Sequence, residues 1–242
     1  MELSNICLGI FYLVLALLPG LLWLGHYYSR DIYEPEPKIL VAKLFGTGIL
    51  GFFLAYSLQS SIYSLVTDFS FLFKIEPHIF LLVKAFLIVA LSEEVIKLAL
   101  VYVFIFYDAE FDEPMDGVVY SIACALGFAT MENASYMYTY GSYLWPRMLF
   151  SCFLHAGCSG LAGYYLGLAK FTSTTSPYSL ITKGLILSWA LHGLYDYIVF
   201  SKQYLALVLI IILLWAVKNF LDSGIYDALE RSPYKHPNQL SR

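Results

Sequence analysis

The chain has 242 residues, of which 60% are hydrophobic and only 13% are charged, and its mean hydropathy is +0.69. Because a soluble domain carries about 25% charged residues, this composition excludes an ordinary water-soluble protein and indicates a protein of the lipid bilayer. The net charge of -4 gives no basis for nucleic-acid binding.

Seven apolar stretches are long enough to cross the hydrocarbon core as helices, which takes about 20 residues each. In chain order they cover residues 3–28, 39–66, 78–106, 115–140, 144–170, 178–200 and 204–220. The predicted fold class is therefore all-α, a polytopic transmembrane helical bundle of about seven helices with a polar active site inside it. We expect one transmembrane domain over residues 1–221 and a short polar tail over residues 222–242. The first stretch lacks a basic leading region and a cleavage site, which predicts a retained helix.

Lysine and arginine are distributed unequally over the connections between these stretches. If the amino terminus lies outside, the inner connections and the tail hold nine of these residues, whereas the outer ones hold only Lys74, Arg147 and Lys202. Since basic residues favour the cytoplasmic side, the sequence predicts a multi-pass protein of the cell membrane with its amino terminus outside and its carboxyl terminus in the cytoplasm.

The third stretch contains two carboxylates and an ammonium at the depth of the bilayer, in the run Ser92-Glu93-Glu94-Val95-Ile96-Lys97. A charge at this depth costs about 2.5 to 3.5 kcal/mol even on a lenient scale, and such residues usually line a polar interior. Lys97 follows Glu93 by four residues and Glu94 by three, so it can reach either carboxylate on the helix surface. One glutamate is then tied to Lys97, and the other is freer to act as a general base or acid. The alternative is a structural ion pair between helices.

Further ionisable residues lie in the next three stretches: Glu132, His155, and the pair His192 and Asp196. His192 and Asp196 are four residues apart and share a helix face, and Gly193 leaves room there for a neighbouring helix. These four residues supply nitrogen and oxygen ligands that zinc accepts, which would leave Glu93 or Glu94 to activate a bound water.

Asn133 could donate a hydrogen bond to a carbonyl oxygen of the substrate. No HExxH motif is present in the sequence, so the zinc hypothesis depends on four helices meeting and not on local spacing. The four cysteines include no CxxC pair and are interpreted as small buried hydrophobic residues, and the glycines at 157, 160, 163 and 167 predict close helix packing.

The ordered set of these motifs resembles the PrsW family of intramembrane proteases. The resemblance covers residues 34–200, and the motifs that carry it are Glu93-Glu94-x-x-Lys97, Asp116-Gly117-x-x-Tyr120, the run from Gly127 to Asn133, Arg147 with His155 eight residues later, and His192-Gly193-x-Tyr195-Asp196. The family is distantly related to the type II CAAX prenyl endopeptidases, which share the paired glutamates. In those relatives the second motif resembles Phe-x-x-x-His, whereas here Phe128 is followed at that spacing by Glu132.

The resemblance implies a hydrolase that cleaves a peptide bond of a membrane-anchored, single-span protein such as an anti-sigma factor, on its extracytoplasmic side. It leaves open whether the enzyme is a metalloprotease or a metal-free glutamate protease. The implied partners are this protein substrate and the lipid bilayer. Three other functions remain open at this point: a CAAX-type prenyl endopeptidase, an ion-coupled transporter, for which the sequence lacks the expected internal repeat, and a non-catalytic membrane receptor.

Overall fold

The described residues of this computed structural model are 2–72, 74–141, 145–202 and 204–235, and they form helices and turns with no β-strand among them. The helices are α1 (Glu2–Tyr28), α2 (Lys38–Leu72), α3 (Pro77–Leu82), a π-helical segment (Val83–Ala90), α4 (Leu91–Ile105), α5 (Pro114–Tyr140), α6 (Trp145–Phe171), α7 (Pro177–Ser201) and α8 (Ala206–Glu230). Because α3, the π-helical segment and α4 follow one another without a gap, they form one rod, named the third rod below. Seven helical rods therefore match the seven predicted stretches, and the all-α fold class is confirmed.

Four of these rods are long and apolar enough to cross a membrane: Cys7–Tyr28, Lys38–Phe71, Pro114–Tyr140 and Ala206–Glu230. Their outer surfaces bear large apolar side chains, including Leu22, Leu65 and Trp215, each about two-thirds or more exposed. In a bilayer such side chains contact lipid, so the exposed apolar surface is what a membrane bundle requires. The third rod, α6 and α7 carry most of the predicted ionisable residues.

The last helix extends further than its hydropathy predicts. Helix α8 continues to Glu230, about ten residues beyond the predicted end at Phe220, so part of the predicted polar tail is helical; residues 236–242 lie outside the described residues. Ion pairs four residues apart join Lys218 to Asp222 and Arg231 to Asp227, each at 2.5 Å. Such pairs support the exposed side of the helix, while Leu221, Ile225 and Ala228 on its other side are buried in the hydrophobic core.

Helix α5 forms the centre of the bundle and packs against α1, α2 and α6. Twenty of its 27 residues are buried. Two glycine crossings allow its backbone to approach its neighbours: a Cβ atom at Gly48 of α2 would lie 1.8 Å from the carbonyl oxygen of Cys124, and one at Gly163 of α6 would lie 2.0 Å from that of Gly117. The close helix packing predicted from the α6 glycines is confirmed there, and α5 brings Glu132 to the interior.

The amino terminus of α5 is capped by its own third residue. The Asp116 carboxylate accepts the backbone N–H groups of Asp112 and Glu113, each at 2.7 Å. These donors have no partner within the helix, and a carboxylate also stabilises the positive end of the helix dipole. The motif Asp116-Gly117-x-x-Tyr120 therefore fixes where α5 begins.

Three carboxyl groups are buried at this same end of the bundle, in the connections that precede α2 and α5. They are Asp31, Glu36 and Glu113, and each is at most 3% exposed. The Tyr120 hydroxyl donates a hydrogen bond to Glu36. Burial is the main reason that the pKa is raised to about 8 for Asp31, about 10 for Glu36 and about 7 for Glu113, and neighbouring carboxylates add to it. At neutral pH this cluster retains protons that an unfolded chain would release.

These raised pKa values predict a protein that loses stability as the pH rises. The stabilisation is complete below the unfolded pKa values, near 4, and is lost progressively as the pH rises through the folded values. We expect the melting temperature in detergent to fall between about pH 5 and about pH 9, and the fall to be smaller in Glu36→Gln, which cannot ionise. The exposed Asp68→Asn serves as the matched control, and an unchanged pH dependence in Glu36→Gln would contradict the assignment.

Candidate active site

Seven of the predicted site residues meet between α4, α5, α6 and α7. All lie in the interior of the bundle. The most exposed side chain among them is that of Glu132, of which 15% is accessible to solvent. They are Glu93, Glu94, Lys97, Glu132, His155, His192 and Asp196. Four separate helices thus place four carboxylates, one ammonium and two imidazoles in one polar site.

Lys97 lies at the centre of this site. Its Nζ atom is 2.8 Å from Glu94 Oε1, 3.4 Å from Glu93 Oε2 and 2.7 Å from His155 Nδ1, and it lies 4.5 Å from the centre of the Phe128 ring. Because an ammonium can only donate, His155 Nδ1 must accept. The other ring nitrogen then carries the proton, and His155 Nε2 donates to Glu132 Oε2 at 2.8 Å.

Glu94 uses both of its carboxylate oxygens in hydrogen bonds. Its Oε1 atom accepts from Lys97 and from His192 Nδ1, each at 2.8 Å. Its Oε2 atom accepts from Ser159 at 3.1 Å and from the Ser188 hydroxyl. A carboxylate held by four donors is fixed in position, so Glu94 orients its neighbours.

Three further atoms of the site make no hydrogen bond among the described residues, and one of them, Glu93 Oε2, is paired by charge with Lys97 at 3.4 Å. A neutral His192 that donates through Nδ1 to Glu94 has a free lone pair on Nε2. That nitrogen lies 3.9 Å from Glu93 Oε2 and 3.6 Å from Asp196 Oδ2. Both oxygens are buried, and neither accepts a hydrogen bond within the part of the chain that the structure describes.

This donor set fits a divalent metal ion. Glu93, His155 and His192 can each present a ligand atom so that all three atoms lie within 4.8 Å of one another. An imidazole nitrogen with two carboxylate oxygens nearby is a donor set that zinc accepts. Glu93 Oε2 and Asp196 Oδ2 are buried without a hydrogen bond, which gives a physical reason for a cation, because a buried carboxylate whose hydrogen bonds are incomplete is costly.

A cavity of about 330 Å³ leads to this site. It opens where the third rod begins and where α5 and α7 end. Its wall includes Gln59, Lys84, Glu93, Glu132, Tyr136 and Asp196, whereas Glu94 and Lys97 do not line it. The paired glutamates therefore differ in access, since Glu93 faces the cavity and Glu94 lies behind it.

Sequence reasoning missed three polar neighbours of the glutamates. Gln59 of α2 donates to Ser92 Oγ at 3.1 Å and to Glu93 Oε1 at 3.2 Å, and Ser159 and Ser188 hold Glu94. Gln59 could have been found, because an amide in an apolar membrane stretch needs a polar partner. The two serines gave no signal, since small hydroxyl residues are common in membrane helices.

Asn133 and Arg147 lie beside the site and make other contacts. The Asn133 amide is buried and donates to Cys152 Sγ at 3.4 Å, so in this structure it is directed away from the cavity. The Arg147 guanidinium stacks over the Tyr136 ring at 4.3 Å. The expected role of Asn133 as a donor to the substrate stays a prediction.

Removal of the central ammonium should destabilise the whole bundle. Lys97→Met would remove the ammonium that pairs with Glu93 and Glu94 and that donates to His155 Nδ1, and breaking a buried ion pair in this way costs about 3 to 5 kcal/mol. Thermal unfolding in detergent measures the change. The matched control is Lys218→Met, whose pair with Asp222 is exposed and should change stability by less than about 1 kcal/mol. Equal effects of the two substitutions would contradict the central role of Lys97.

Comparison with known proteins gives a consistent result. Residues 36–219 match the family described as "PrsW family intramembrane metalloprotease". The chain is 36% identical over 186 residues to the Protease PrsW of Geobacillus kaustophilus, an alignment that covers 76% of this chain and 78% of that protein. It is 35% identical over 203 residues to the Protease PrsW of Oceanobacillus iheyensis, with 82% and 88% covered, and 30% identical over 181 residues to that of Bacillus subtilis, with 74% and 78% covered. No solved structure matches the chain.

Proposed function

We propose how this chain, which belongs to the PrsW family of intramembrane metalloproteases, carries out peptide-bond hydrolysis within the membrane. In our proposal, a divalent metal ion is held by His192 Nε2, Glu93 Oε2 and Asp196 Oδ2 at the inner end of the cavity. The observation that carries it is that both oxygens lie near the same imidazole nitrogen, Asp196 Oδ2 at 3.6 Å and Glu93 Oε2 at 3.9 Å, and that both are buried and accept no hydrogen bond within the described residues.

The formal charges of the site support a cation there. Four carboxylates meet one buried ammonium, that of Lys97, and the Arg147 guanidinium acts on Glu132 from the edge of the site. With neutral imidazoles, the remaining formal charge is about -2, and an uncompensated charge of this size in a membrane interior is strongly unfavourable. A divalent ion would neutralise it. Three protein ligands and an open position are typical of catalytic zinc, which when bound polarises a carbonyl group and makes a coordinated water more acidic.

Glu94 acts in this scheme as the group that orients the metal ligand. It accepts the His192 Nδ1 proton at 2.8 Å and so presents the free Nε2 atom toward Glu93 and Asp196. Carboxylates that hold the second nitrogen of a ligating histidine fix its tautomer and raise its basicity. Ser159, Ser188 and Lys97 in turn hold Glu94 in place.

Glu132 is our candidate general base. It lines the cavity, and one of its oxygens accepts from His155 Nε2 at 2.8 Å. The other oxygen can take a proton from the attacking water and return it to the leaving amine. His155 is less suited to hold the ion in this arrangement, because its Nδ1 accepts from Lys97 and its Nε2 donates to Glu132.

The substrate in this proposal is a membrane-anchored, single-span protein of the anti-sigma-factor kind. The cavity opens on the face where α5 and α7 end, opposite the connections at residues 29–37 and 106–113. In the orientation predicted from the basic residues, this face is extracytoplasmic. A cut there would release the outer part of the substrate from its membrane segment.

Metal content tests the ligand set directly. In the protein purified in detergent, elemental mass spectrometry should find about one zinc per chain, and His192→Ala and Asp196→Ala should each lose most of it, because removal of a ligand typically weakens metal binding steeply. His155→Ala is the matched control and should retain it. Loss in His155→Ala with retention in Asp196→Ala would favour the alternative set of Glu93, His155 and His192.

Hydrolysis of a membrane-anchored peptide in proteoliposomes separates the base from the ligands. Glu132→Gln should retain the metal and lower kcat by about 100-fold or more, as loss of a general base does. Glu93→Gln should lose both metal and activity, because it removes a ligand. A Glu93→Gln protein that keeps its metal but is inactive would instead assign the base to Glu93.

A further inference from the structure

A lysine lines the same cavity as the catalytic carboxylates and takes no part in the chemistry described so far. Lys84 lies in the π-helical segment, nine residues before Glu93, and its side chain belongs to the cavity wall. No carboxylate oxygen of a described residue lies within ion-pair distance of its Nζ atom. The cavity therefore contains a half-buried ammonium without an acidic partner.

Aromatic rings hold this ammonium at the wall. Lys84 Nζ lies 4.7 Å from the centre of the Phe200 ring of α7 and 5.5 Å from that of the Tyr63 ring of α2. A cation placed over aromatic faces is attracted by their electron density while it keeps its capacity to donate hydrogen bonds. The side chain is thus positioned between two helices with its three N–H donors unused by any carboxylate.

The π-helical segment explains why Lys84 faces the cavity at all. In an α-helix, two residues five positions apart point about 140° away from each other, which is unfavourable for Lys84 and Val89 to line one cavity. The hydrogen bonds of this segment span five residues, as in that from the Leu91 N–H group to the Phe86 carbonyl, and residues five apart are then closer to alignment than in an α-helix. Helices of this kind are rare and are frequently found at functional sites.

Packing against α7 stabilises this uncommon helix. Trp189 Nε1 donates to the Phe86 carbonyl oxygen at 2.7 Å. A Cβ atom at position 193 would lie 2.4 Å from the Phe86 ring, so Gly193 is needed for the close approach. The same helix that carries His192 and Asp196 therefore fixes the position of Lys84 relative to them.

The charges of the cavity are arranged with carboxylates at one end and this ammonium at another part of the wall. Glu93, Glu132 and Asp196 repel an anionic group of a substrate, whereas Lys84 attracts one. A peptide with a carboxylate near its scissile bond therefore binds more favourably when this carboxylate points to Lys84 than when it points to the catalytic carboxylates. A charged group that pairs with only one class of partner supplies discrimination as well as affinity.

We propose that Lys84 is a specificity-determining residue that binds a carboxylate of the substrate, either an Asp or Glu side chain near the scissile bond or a free carboxyl terminus left by earlier trimming. This inference rests on the proposed function, since it assigns a substrate contact to the same cavity. It names a chemical class of substrate, an anionic peptide segment, that the sequence motifs do not indicate.

The test uses the full-length protein in proteoliposomes and one membrane-anchored peptide, whose cleavage site is located by mass spectrometry. Variants of this peptide carry Glu, Gln or Lys at successive positions around that site. A second pair of peptides ends near that site with either a free carboxylate or an amide. For the wild type we expect kcat/KM at one position, or at the free terminus, to be at least about tenfold higher for the anionic peptide than for its neutral counterpart. The responding peptide identifies the source of the carboxylate.

Charge reversal at the lysine gives the decisive comparison. Lys84→Gln should abolish the preference for the anionic peptide, and Lys84→Glu should reverse it in favour of the Lys peptide. Lys183→Glu is the matched control, because Lys183 also lies over an aromatic ring, that of Tyr165 at 4.9 Å, but away from the cavity; it should leave the preference unchanged. Equal loss of activity toward every peptide in the Lys84 variants would indicate a structural role and overturn the proposal.

Two negative results have different meanings. Wild-type hydrolysis with no charge preference at any position or terminus overturns the assignment of Lys84 alone. No hydrolysis of any peptide, with metal bound, overturns the proposed protease site, and the inference about Lys84 with it.

Discussion

A single buried ammonium organises the interior of this protein. Lys97 is 1% exposed and contacts carboxylates of its own helix and an imidazole of α6 at 2.7 Å. A lone ammonium at this depth would be strongly unfavourable, and it is tolerated because its donors are matched by acceptors from two helices. The hydrogen-bond roles of His155 and Glu132 then follow from the fact that Lys97 can only donate.

This constraint separates two glutamates that are adjacent in the sequence. Consecutive residues on a helix point about 100° apart, so only one of them can face the cavity while the other faces the neighbouring helices. Glu94 meets Lys97, His192 and two serines, and Glu93 faces the cavity with one oxygen that accepts no hydrogen bond. The conspicuous glutamate pair therefore combines an orienting group with a group that can bind an ion or a proton.

The packing of the bundle and the chemistry of the site depend on the same helices. Gly48 and Gly163 allow α2 and α6 to approach α5 closely, and Gly193 allows α7 to approach the third rod. Without these contacts the ionisable residues of the four helices could not come within bonding distance of one another. Small residues at helix crossings are what permits this approach in membranes, so these glycines help to position the site.

The fold class, the seven helical rods and the meeting of ionisable residues from four of these rods were predictable from the sequence. Apolar length marks a membrane helix, and an ionisable residue in such a helix needs a polar interior, so each signal is local and physical. The end of α8 was not predicted in this way, because beyond Phe220 its apolar residues lie on one face only, where Leu221, Ile225 and Ala228 are buried, and ion pairs join the charged residues of its exposed side.

Other features depended on the tertiary structure alone. The crossing of the helices decides which glutamate oxygen accepts no hydrogen bond. It also brings Gln59 to Glu93 and places Lys84 of the π-helical segment in the cavity wall. The order of apolar and ionisable residues specified which groups had to be buried together, since the bilayer provides no other place for them. Their pairing depended on packing, because hydrogen bonds between helices require distances that no spacing within one helix defines.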